Sequence, residues 1–195
     1  EIYPLREPQK IPLVMSTDET KRLLAVASSL KARVLLSLGY GCGLRAGEVI
    51  RLKVKHIDSA QKIIRIEQSK GRKDRNVMLS AETLDLLRQW WKARRSRHDG
   101  QTPVQERWLF PGTRPGRPMT TRQLNRLFHE AADAAGIKKG VTLHALRHSF
   151  ATHLLEHGTD IRKIQALLGH DKFFSTACYT RVATGMIANV ESPLD

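Results

Sequence analysis

The sequence has little cysteine, no long apolar run and comparatively few acidic residues, and each shortage excludes a class of protein. Its 195 residues include two cysteines, Cys42 and Cys178, which lack metal-ligand spacing and cannot form a disulfide framework. No apolar run approaches the roughly 18 residues that a membrane-spanning helix needs, and no charged start followed by an apolar stretch marks a signal peptide. We therefore expect a cytoplasmic protein with reduced cysteines and no membrane partner.

Acidic residues are outnumbered, because 33 lysines and arginines face 19 aspartates and glutamates and give a net charge of +14. This excess indicates a polyanionic partner, and nucleic acid is favoured over a membrane surface. The acids also form no cluster of the kind that a two-metal nuclease needs. Charge alone names no chemistry.

Ordered structure is predicted to begin at Ser16. Residues 1–15 contain three prolines and no sustained periodicity, which is typical of an extended linker. Ser16 and Glu19 have the spacing of a helix-capping box, and apolar residues then recur at helical intervals. Further helices are predicted at about 31–39, from about Arg45, and at about 81–97, 121–135, 144–157, 160–168 and 173–181. Three glycines are expected to end the helices that precede them, namely Gly136, Gly158 and Gly169.

Two short strands are predicted at residues 62–67 and 75–79, separated by a polar turn around a glycine. The pattern indicates a basic β-hairpin. The predicted fold class is therefore mainly α with one small antiparallel β-sheet (α+β). The predicted helix at 81–97 carries apolar residues on one face and basic residues on another, so one side can pack and the other can meet phosphates. The candidate nucleic-acid-binding residues are Arg72 and Lys73 in the hairpin turn and Arg88, Lys92 and Arg95 on this helix.

Three short patterns follow one another along the chain. Residues 43–48 read Gly-Leu-Arg-Ala-Gly-Glu, residues 144–147 read His-Ala-Leu-Arg, and residues 168–170 read Leu-Gly-His, with Tyr179 nine positions later. Together with a lysine in the hairpin turn, this ordered set closely resembles the tyrosine recombinase, or phage integrase, family. A lone His-x-x-Arg would mean little, but the whole set in this order is specific.

The resemblance implies a catalytic domain over residues 16–184, between the linker and a C-terminal tail at 185–195. It implies site-specific recombination of double-stranded DNA, in which strands are cleaved and rejoined through a 3′-phosphotyrosine without a metal or nucleotide cofactor. A helical N-terminal domain that closes around DNA is usual in the family, and no segment of this chain corresponds to it. The implied catalytic residues are Arg45, Lys70, His144, Arg147, His170 and the nucleophile Tyr179, with Glu48 as a supporting acid.

Physical chemistry gives each arginine and the first histidine a role. Negative charge grows on the non-bridging oxygens of a phosphodiester during attack, and two forked guanidiniums, Arg45 and Arg147, are suited to hold them. A tyrosine has a pKa of about 10, so its attack requires a proton acceptor. His144 is the candidate. Glu48 is expected to orient an arginine without touching substrate.

The leaving 5′ oxygen needs a proton, which an ammonium on the hairpin can deliver. Lys70 is the candidate by resemblance, and Lys73 in the same turn is its local competitor. His170 is expected to hydrogen-bond the phosphate and help seat the tyrosine. The other tyrosines are not placed to attack, because Tyr3 lies in the linker and Tyr40 at an apolar helix end.

Four histidines on the predicted helix 144–157 offer a rival interpretation, since they form two i, i+4 pairs that could each bind zinc. The second pair lies roughly 180° around the helix from the first, so the four cannot share one ion. We expect packing or hydrogen-bonding roles for His148 and His153, a helix-end role for His157, and no metal.

Two other functions stay open. A type IB topoisomerase uses similar Arg, Lys, Arg, His and Tyr chemistry but relaxes a single duplex, and a DNA-binding module without activity would trap no covalent product. The resemblance implies assembly as a tetramer on paired DNA sites, since exchange between two duplexes needs four cleavages. The apolar face Met186, Ile187 and Val190 is too short to form a stable helix alone, so it is expected to dock on its own domain or on a neighbouring protomer. It also buries too little area for a stable interface, which predicts a monomer in free solution.

Overall fold

The computed structural model describes residues 13–67, 74–94 and 99–169. This part of the chain is mainly helical with one small antiparallel sheet, so the predicted fold class is confirmed. Its elements in chain order are α1 (Thr17–Ala25), α2 (Leu30–Gly41), α3 (Ala46–Ile50), β1 (Ile57–Asp58), β2 (Ile63–Ile66), β3 (Arg75–Met78), α4 (Ala81–Ala93), α5 (Thr121–Ala134), α6 (Leu143–Glu156) and α7 (Ile161–Leu168). Short 3₁₀ turns lie at Val54–His56 and Val104–Glu106.

Helix α2 forms the centre of the domain. Val34, Leu35, Leu36 and Leu38 are all fully buried, and the helix packs against α4, α5 and α6 as well as its sequence neighbours. Residues 34–39 are buried on every side of the helix, as in a helix that lies inside a core, whereas its first turn carries the exposed Arg33. The elements that carry the candidate site are therefore mounted around a rigid centre.

The sheet has the order β1-β2-β3, with all pairs antiparallel. The two longer strands were predicted, whereas β1 was not, because a strand of two residues is too short to show alternation. Ile64 pairs with Ile57 on one side and with Val77 on the other, and the buried Ile64 and Val77 turn one face of the sheet toward the core. The predicted hairpin turn falls largely on residues 68–73, outside the described residues.

The capping box predicted at the start of α1 is confirmed. The Ser16 hydroxyl accepts from the Glu19 backbone N–H at 3.1 Å, and the Glu19 carboxylate accepts from the Ser16 N–H at 2.7 Å. Helix α1 ends at Ala25, and Val26 is 40% exposed, so the run of apolar intervals assigned to this helix extends past its true end.

The packed structure begins earlier than the predicted boundary at Ser16. Met15 is fully buried, and its backbone N–H donates to the hydroxyl of Ser149 on α6 at 3.0 Å. The chain is therefore tied to α6 before α1 starts. Residues 1–12 of the predicted linker, the predicted helix at 173–181 and the predicted tail lie outside the described residues.

Glycines end three helices, as predicted. Gly136, Gly158 and Gly169 follow α5, α6 and α7 with φ angles of +67°, +79° and +65°, the left-handed conformation that glycine adopts most readily. Among the described residues, no helix has the length and apolar character that crossing a membrane requires.

Candidate active site

Arg45 and Glu48 lie at the first turn of α3. Gly43 has a φ of +62°, which turns the chain into this helix, and Arg45 is the residue before its first turn. The Glu48 carboxylate folds back to accept from the Arg45 backbone N–H at 2.8 Å and from Arg45 Nη1 at 2.7 Å. The glutamate thus caps its own helix and holds the arginine side chain.

Arg75 on β3 completes the surroundings of Glu48. Its Nη1 and Nη2 donate to Oε1 and Oε2 of Glu48, both at 2.8 Å, in a bidentate pair. Each carboxylate oxygen therefore accepts two bonds, and a carboxylate has about four acceptor positions. Both carboxylate oxygens of Glu48 therefore bind the two arginines, and its role as a supporting acid stays a prediction.

The ionisation of Glu48 follows from these contacts. Burial alone raises the pKa of its carboxyl, but hydrogen bonds from Arg75 and the Arg45 backbone, with the charges of both arginines, outweigh burial and lower the pKa to about 2. The side chain is 10% exposed. Glu48 is therefore an anion at neutral pH and holds no proton to donate.

Arg147 on α6 reaches the same cluster from the other side. Its side chain is 1% exposed, with Nη1 donating to the Gly43 carbonyl and Nη2 to the Leu168 carbonyl, each at 2.6 Å. Nη1 also lies 4.0 Å from Glu48 Oε2. A guanidinium has several N–H donors, and these bonds use two of them. Burial, and then the charge of Arg45, lower the pKa of Arg147 to about 9, so it stays protonated at neutral pH.

Two arginines cap the C-terminal end of α7. The last carbonyls of a helix have no partner within the helix. Here the Leu167 carbonyl accepts from Arg75 Nε at 2.7 Å and the Leu168 carbonyl accepts from Arg147 Nη2. Gly169 follows in the left-handed conformation, so the chain leaves α7 from a position that the two guanidiniums fix.

His144 lies one turn before Arg147 on α6 and is solvent-exposed. Its ring meets that of His148 edge to face, with centroids 4.6 Å apart. Partial desolvation of the ring, followed by the charges of Arg147 and Arg45, lowers the pKa of His144 below its ordinary value. The imidazole is therefore neutral at neutral pH, the form that accepts a proton.

The structure brings Arg147 to Arg45 and Glu48, from which it is remote in sequence, and puts His144 on the helix that carries Arg147. We call Arg45, Arg75 and Arg147 around Glu48 the arginine cluster. The predicted site residues outside the described ranges are Lys70, Arg72, Lys73, Arg95, His170 and Tyr179.

The two predicted DNA-binding residues within the described ranges lie on α4. Arg88 is 59% exposed and lies 3.5 Å from Asp85, an exposed pair one turn apart. Lys92 is exposed in the last turn of the same helix. On the opposite face Leu87 is buried, so the two-faced helix has the predicted orientation.

Arg75 is part of this site but was not among the residues predicted from the sequence. It is one of 33 basic residues, and only its position directly after the polar hairpin turn sets it apart. Its bonds with Glu48 and Leu167 join segments 27 and 92 positions away in the chain, which no local pattern reveals.

The rival interpretation of the histidines as a metal site finds no support within the described residues, which contain no group of three or more potential metal ligands. His153 Nδ1 lies 2.9 Å from the Tyr40 hydroxyl, and His157 Nδ1 lies 2.6 Å from the His153 carbonyl. These are the hydrogen-bonding and helix-end roles that were predicted. Tyr40 is half-buried, and burial raises the pKa of its phenol.

Comparison with known proteins gives a consistent picture. The model of the phage integrase family matches residues 13–186. The candidate integrase/recombinase y4qK of Sinorhizobium fredii is 42% identical over 196 residues, covering 100% of this chain and 61% of y4qK. Tyrosine recombinase XerA of Pyrococcus horikoshii is 35% identical over 179 residues, covering 91% of this chain and 59% of XerA. The chain thus spans about three fifths of these curated relatives.

A solved structure of the XerH site-specific recombinase, bound to its palindromic difH substrate in a post-cleavage complex, superposes on this chain with a TM-score of 0.76. The sequence identity is 26%, and the match covers 92% of this chain and 52% of XerH. The likeness extends over nearly the whole chain, so the arrangement of helices and sheet around the arginine cluster is that of a known fold.

Proposed function

Since the chain belongs to the phage integrase family, we propose that it is the catalytic part of a tyrosine site-specific DNA recombinase that cuts and rejoins double-stranded DNA. The observation that carries this proposal is the arginine cluster. Three guanidiniums surround one carboxylate, so these four side chains hold an excess of positive charge at one place in the fold. A phosphodiester in a transition state is the anion that such a place stabilises.

Arg45 and Arg147 are the proposed phosphate-binding pair. Arg45 is held by its hydrogen bond to Glu48, and Arg147 is held by its hydrogen bonds to two backbone carbonyls. Both guanidiniums stay protonated in these contacts. Because both guanidiniums are already held in place, they need not move when negative charge develops on the non-bridging oxygens in the transition state. Electrostatic stabilisation of a transition state is most effective when the charged groups are preorganised in this way. His170 follows Gly169 directly in the sequence and is proposed to add a hydrogen bond to the same phosphate.

The proposed nucleophile is Tyr179. Its phenol oxygen attacks phosphorus and passes its proton to His144, which is suited to this because desolvation, and then the charges of Arg147 and Arg45, lower its pKa and favour the neutral imidazole. The bond from phosphorus to the 5′ oxygen breaks, and Lys70 protonates that oxygen as it leaves. The products are a 3′-phosphotyrosine and a 5′-hydroxyl.

The same steps in reverse rejoin the strand. A 5′-hydroxyl attacks the phosphotyrosine, the phenol leaves with a proton, and the energy of the phosphodiester is kept in the protein–DNA bond. The proposed reaction therefore requires neither a nucleotide nor a metal ion. Exchange between two duplexes needs four such cleavages, and we propose a monomer in free solution that assembles into a tetramer on paired sites.

A nicked suicide substrate tests the proposal, because loss of the short fragment beside the nick traps the covalent product. The wild-type chain is expected to form a protein–DNA adduct in excess EDTA. Tyr179→Phe should bind DNA within a few fold of wild type and form no adduct. Tyr40→Phe is the matched control, since it removes a half-buried hydroxyl that bonds His153, and it should form the adduct normally.

Two results would contradict the proposal. Adduct formation by Tyr179→Phe would remove this tyrosine from its role, and loss of activity in EDTA that zinc or magnesium restores would indicate metal chemistry. Relaxation of supercoiled plasmid without any exchange between sites would favour the topoisomerase alternative.

A further inference from the structure

Arg75 is a buried cation whose three nitrogen groups are all engaged. Its side chain is 7% exposed, its two terminal nitrogens bond Glu48, and its Nε bonds the Leu167 carbonyl. The bidentate pair and the Nε bond hold two different edges of the guanidinium, so its position and its plane are both fixed. The side chain therefore holds β3, α3 and the end of α7 at set distances from one another.

The packing of the Arg75 stem adds a second constraint. A Cβ on Gly169 would lie 2.8 Å from Arg75 Cδ, closer than such contacts occur in proteins. The stem therefore lies directly against the left-handed turn that ends α7, and this turn accepts no side chain. Arg75 thus touches the residue directly before His170 and is connected through Glu48 to Arg45.

Position in the sequence gives Arg75 a third connection. It is the first residue of β3, and Lys70 lies five positions before it in the sequence. Two segments that carry or directly precede proposed catalytic groups therefore converge on this side chain. They are the start of α3, with Arg45, and the end of α7, before His170.

We propose that Arg75 is a positioning residue for strand cleavage, acting through Glu48 on Arg45 and through the Leu167 carbonyl on the end of α7. The inference rests on the proposed function of the site. The three hydrogen bonds described for Arg75 all go to protein groups, so we expect its effect to fall on the rate of cleavage and not on the affinity for DNA. Small displacements of catalytic groups by remote changes can lower a rate by about 10²-fold.

Lysine cannot replace Arg75 in this role. An ammonium keeps the charge, but it cannot form the planar two-point pair with Glu48 together with the Nε bond to the helix end. We therefore expect Arg75→Lys to bind DNA within about threefold of wild type and to form the covalent adduct about 10- to 100-fold more slowly. Arg75→Met, which also removes the charge, should be slower still.

Arg94 supplies a matched control. It is also a buried arginine, 4% exposed, paired with Asp99 and bonded to the Trp108 carbonyl, and these partners lie outside the arginine cluster. Arg94→Lys therefore removes a comparable set of bonds without touching Glu48 or α7. It should lower the midpoint of urea unfolding to a similar extent as Arg75→Lys while leaving the rate of adduct formation within about twofold.

The experiment measures three quantities for the wild type, Arg75→Lys and Arg94→Lys: the single-turnover rate of adduct formation, the Kd for DNA and the urea midpoint. A slow rate confined to Arg75→Lys, with Kd unchanged, supports the proposal. A wild-type rate in Arg75→Lys overturns it, as does an equal loss of rate in Arg94→Lys, which would indicate general destabilisation. A rise in Kd that accounts for the lost rate also overturns it, because Arg75 would then be a DNA contact.

A double variant adds a test that stability alone cannot pass. Because Arg75 acts on Arg45 through Glu48, adding Arg75→Lys to Glu48→Gln should slow adduct formation by much less than the product of the single effects. Multiplicative effects would show independent roles and overturn the proposed route. Absence of any adduct with the wild type would instead count against the proposed function, so the two failures are distinguishable.

Discussion

Gly43→Ala is expected to destabilise the protein and slow cleavage together, because Gly43 meets two separate constraints. Its φ is +62°, where an alanine has an unfavourable backbone conformation. A Cβ at this position would also lie 2.5 and 2.6 Å from two ring carbons of Phe150 and 3.2 Å from Leu168 Cδ2. Phe150 is 5% exposed and has little room to move.

The magnitude follows from adding the two constraints. The left-handed backbone costs an alanine about 1–2 kcal/mol, and overpacking of a core costs a further ~1–3 kcal/mol. We expect the free energy of unfolding to fall by about 2–5 kcal/mol, a large part of the roughly 5–15 kcal/mol that stabilises a domain. Because the Gly43 carbonyl accepts from Arg147, a backbone shift here also displaces that guanidinium and lowers the cleavage rate.

Gly158→Ala is the matched control. Gly158 has a φ of +79°, and a Cβ there would meet nothing within 4 Å, so only the backbone term of about 1–2 kcal/mol applies. Urea unfolding of both variants isolates the steric term, and adding Phe150→Leu to Gly43→Ala should recover part of it. Equal destabilisation by the two glycine variants, or no recovery in the double variant, would refute the reasoning from the Phe150 contact.

Three further predictions follow from the arginine cluster and the tail. Glu48 has a pKa lowered to about 2, so its contribution to stability is present above its unfolded pKa of 4.5 and is lost as pH falls toward 2. The difference in unfolding free energy between wild type and Glu48→Gln should therefore shrink by about 3 kcal/mol between about pH 5 and about pH 2. A difference that stays constant over this range would contradict the ionised state of Glu48. Arg45→Ala and Arg147→Ala should each lower the adduct rate by about 10²-fold or more, whereas Arg88→Ala should mainly weaken binding and flatten its salt dependence; the same modest binding defect in all three would show that the phosphate-binding pair is wrongly assigned. Deleting residues 185–195 should spare single-strand cleavage and reduce strand exchange in a two-site plasmid assay, and exchange at the full rate would show that the tail does not connect protomers.

The sequence was most informative where a local rule applies. The capping box of Ser16 and Glu19 and the helix-ending glycines Gly136, Gly158 and Gly169 depend on residues a few positions apart, and all four features are present in the structure. Most helix boundaries differ from the predicted ones by one or two residues. The end of α1 differs more, because apolar intervals continue past Ala25 into residues that pack in another element. The helix predicted to about residue 97 ends earlier, at Ala93, because Arg94 has an extended backbone.

The sequence could not reveal which groups form the hydrogen bonds of the arginine cluster. The motif around Arg45 and Arg147 indicated which residues act, but their partners include the carbonyls of Gly43 and Leu168, and any residue type could supply those atoms. Arg75 went unnoticed for the same reason, since its role depends on tertiary proximity. Basic charge was also too abundant for one buried arginine to stand out.

The pairing of Glu48 with donors from two arginines limits which substitutions this site can accept during evolution. Losing Glu48 alone would remove the carboxylate that pairs with the buried Arg75 and the partly buried Arg45. Losing Arg75 alone would remove two of the bonds that the carboxylate accepts, and each loss costs up to about 3–5 kcal/mol. Either single substitution removes much of the stability of a typical domain, so we expect evolution to accept it only together with a compensating substitution nearby. We therefore expect positions 48 and 75 to vary as a pair among related recombinases, with acid and arginine replaced together or not at all.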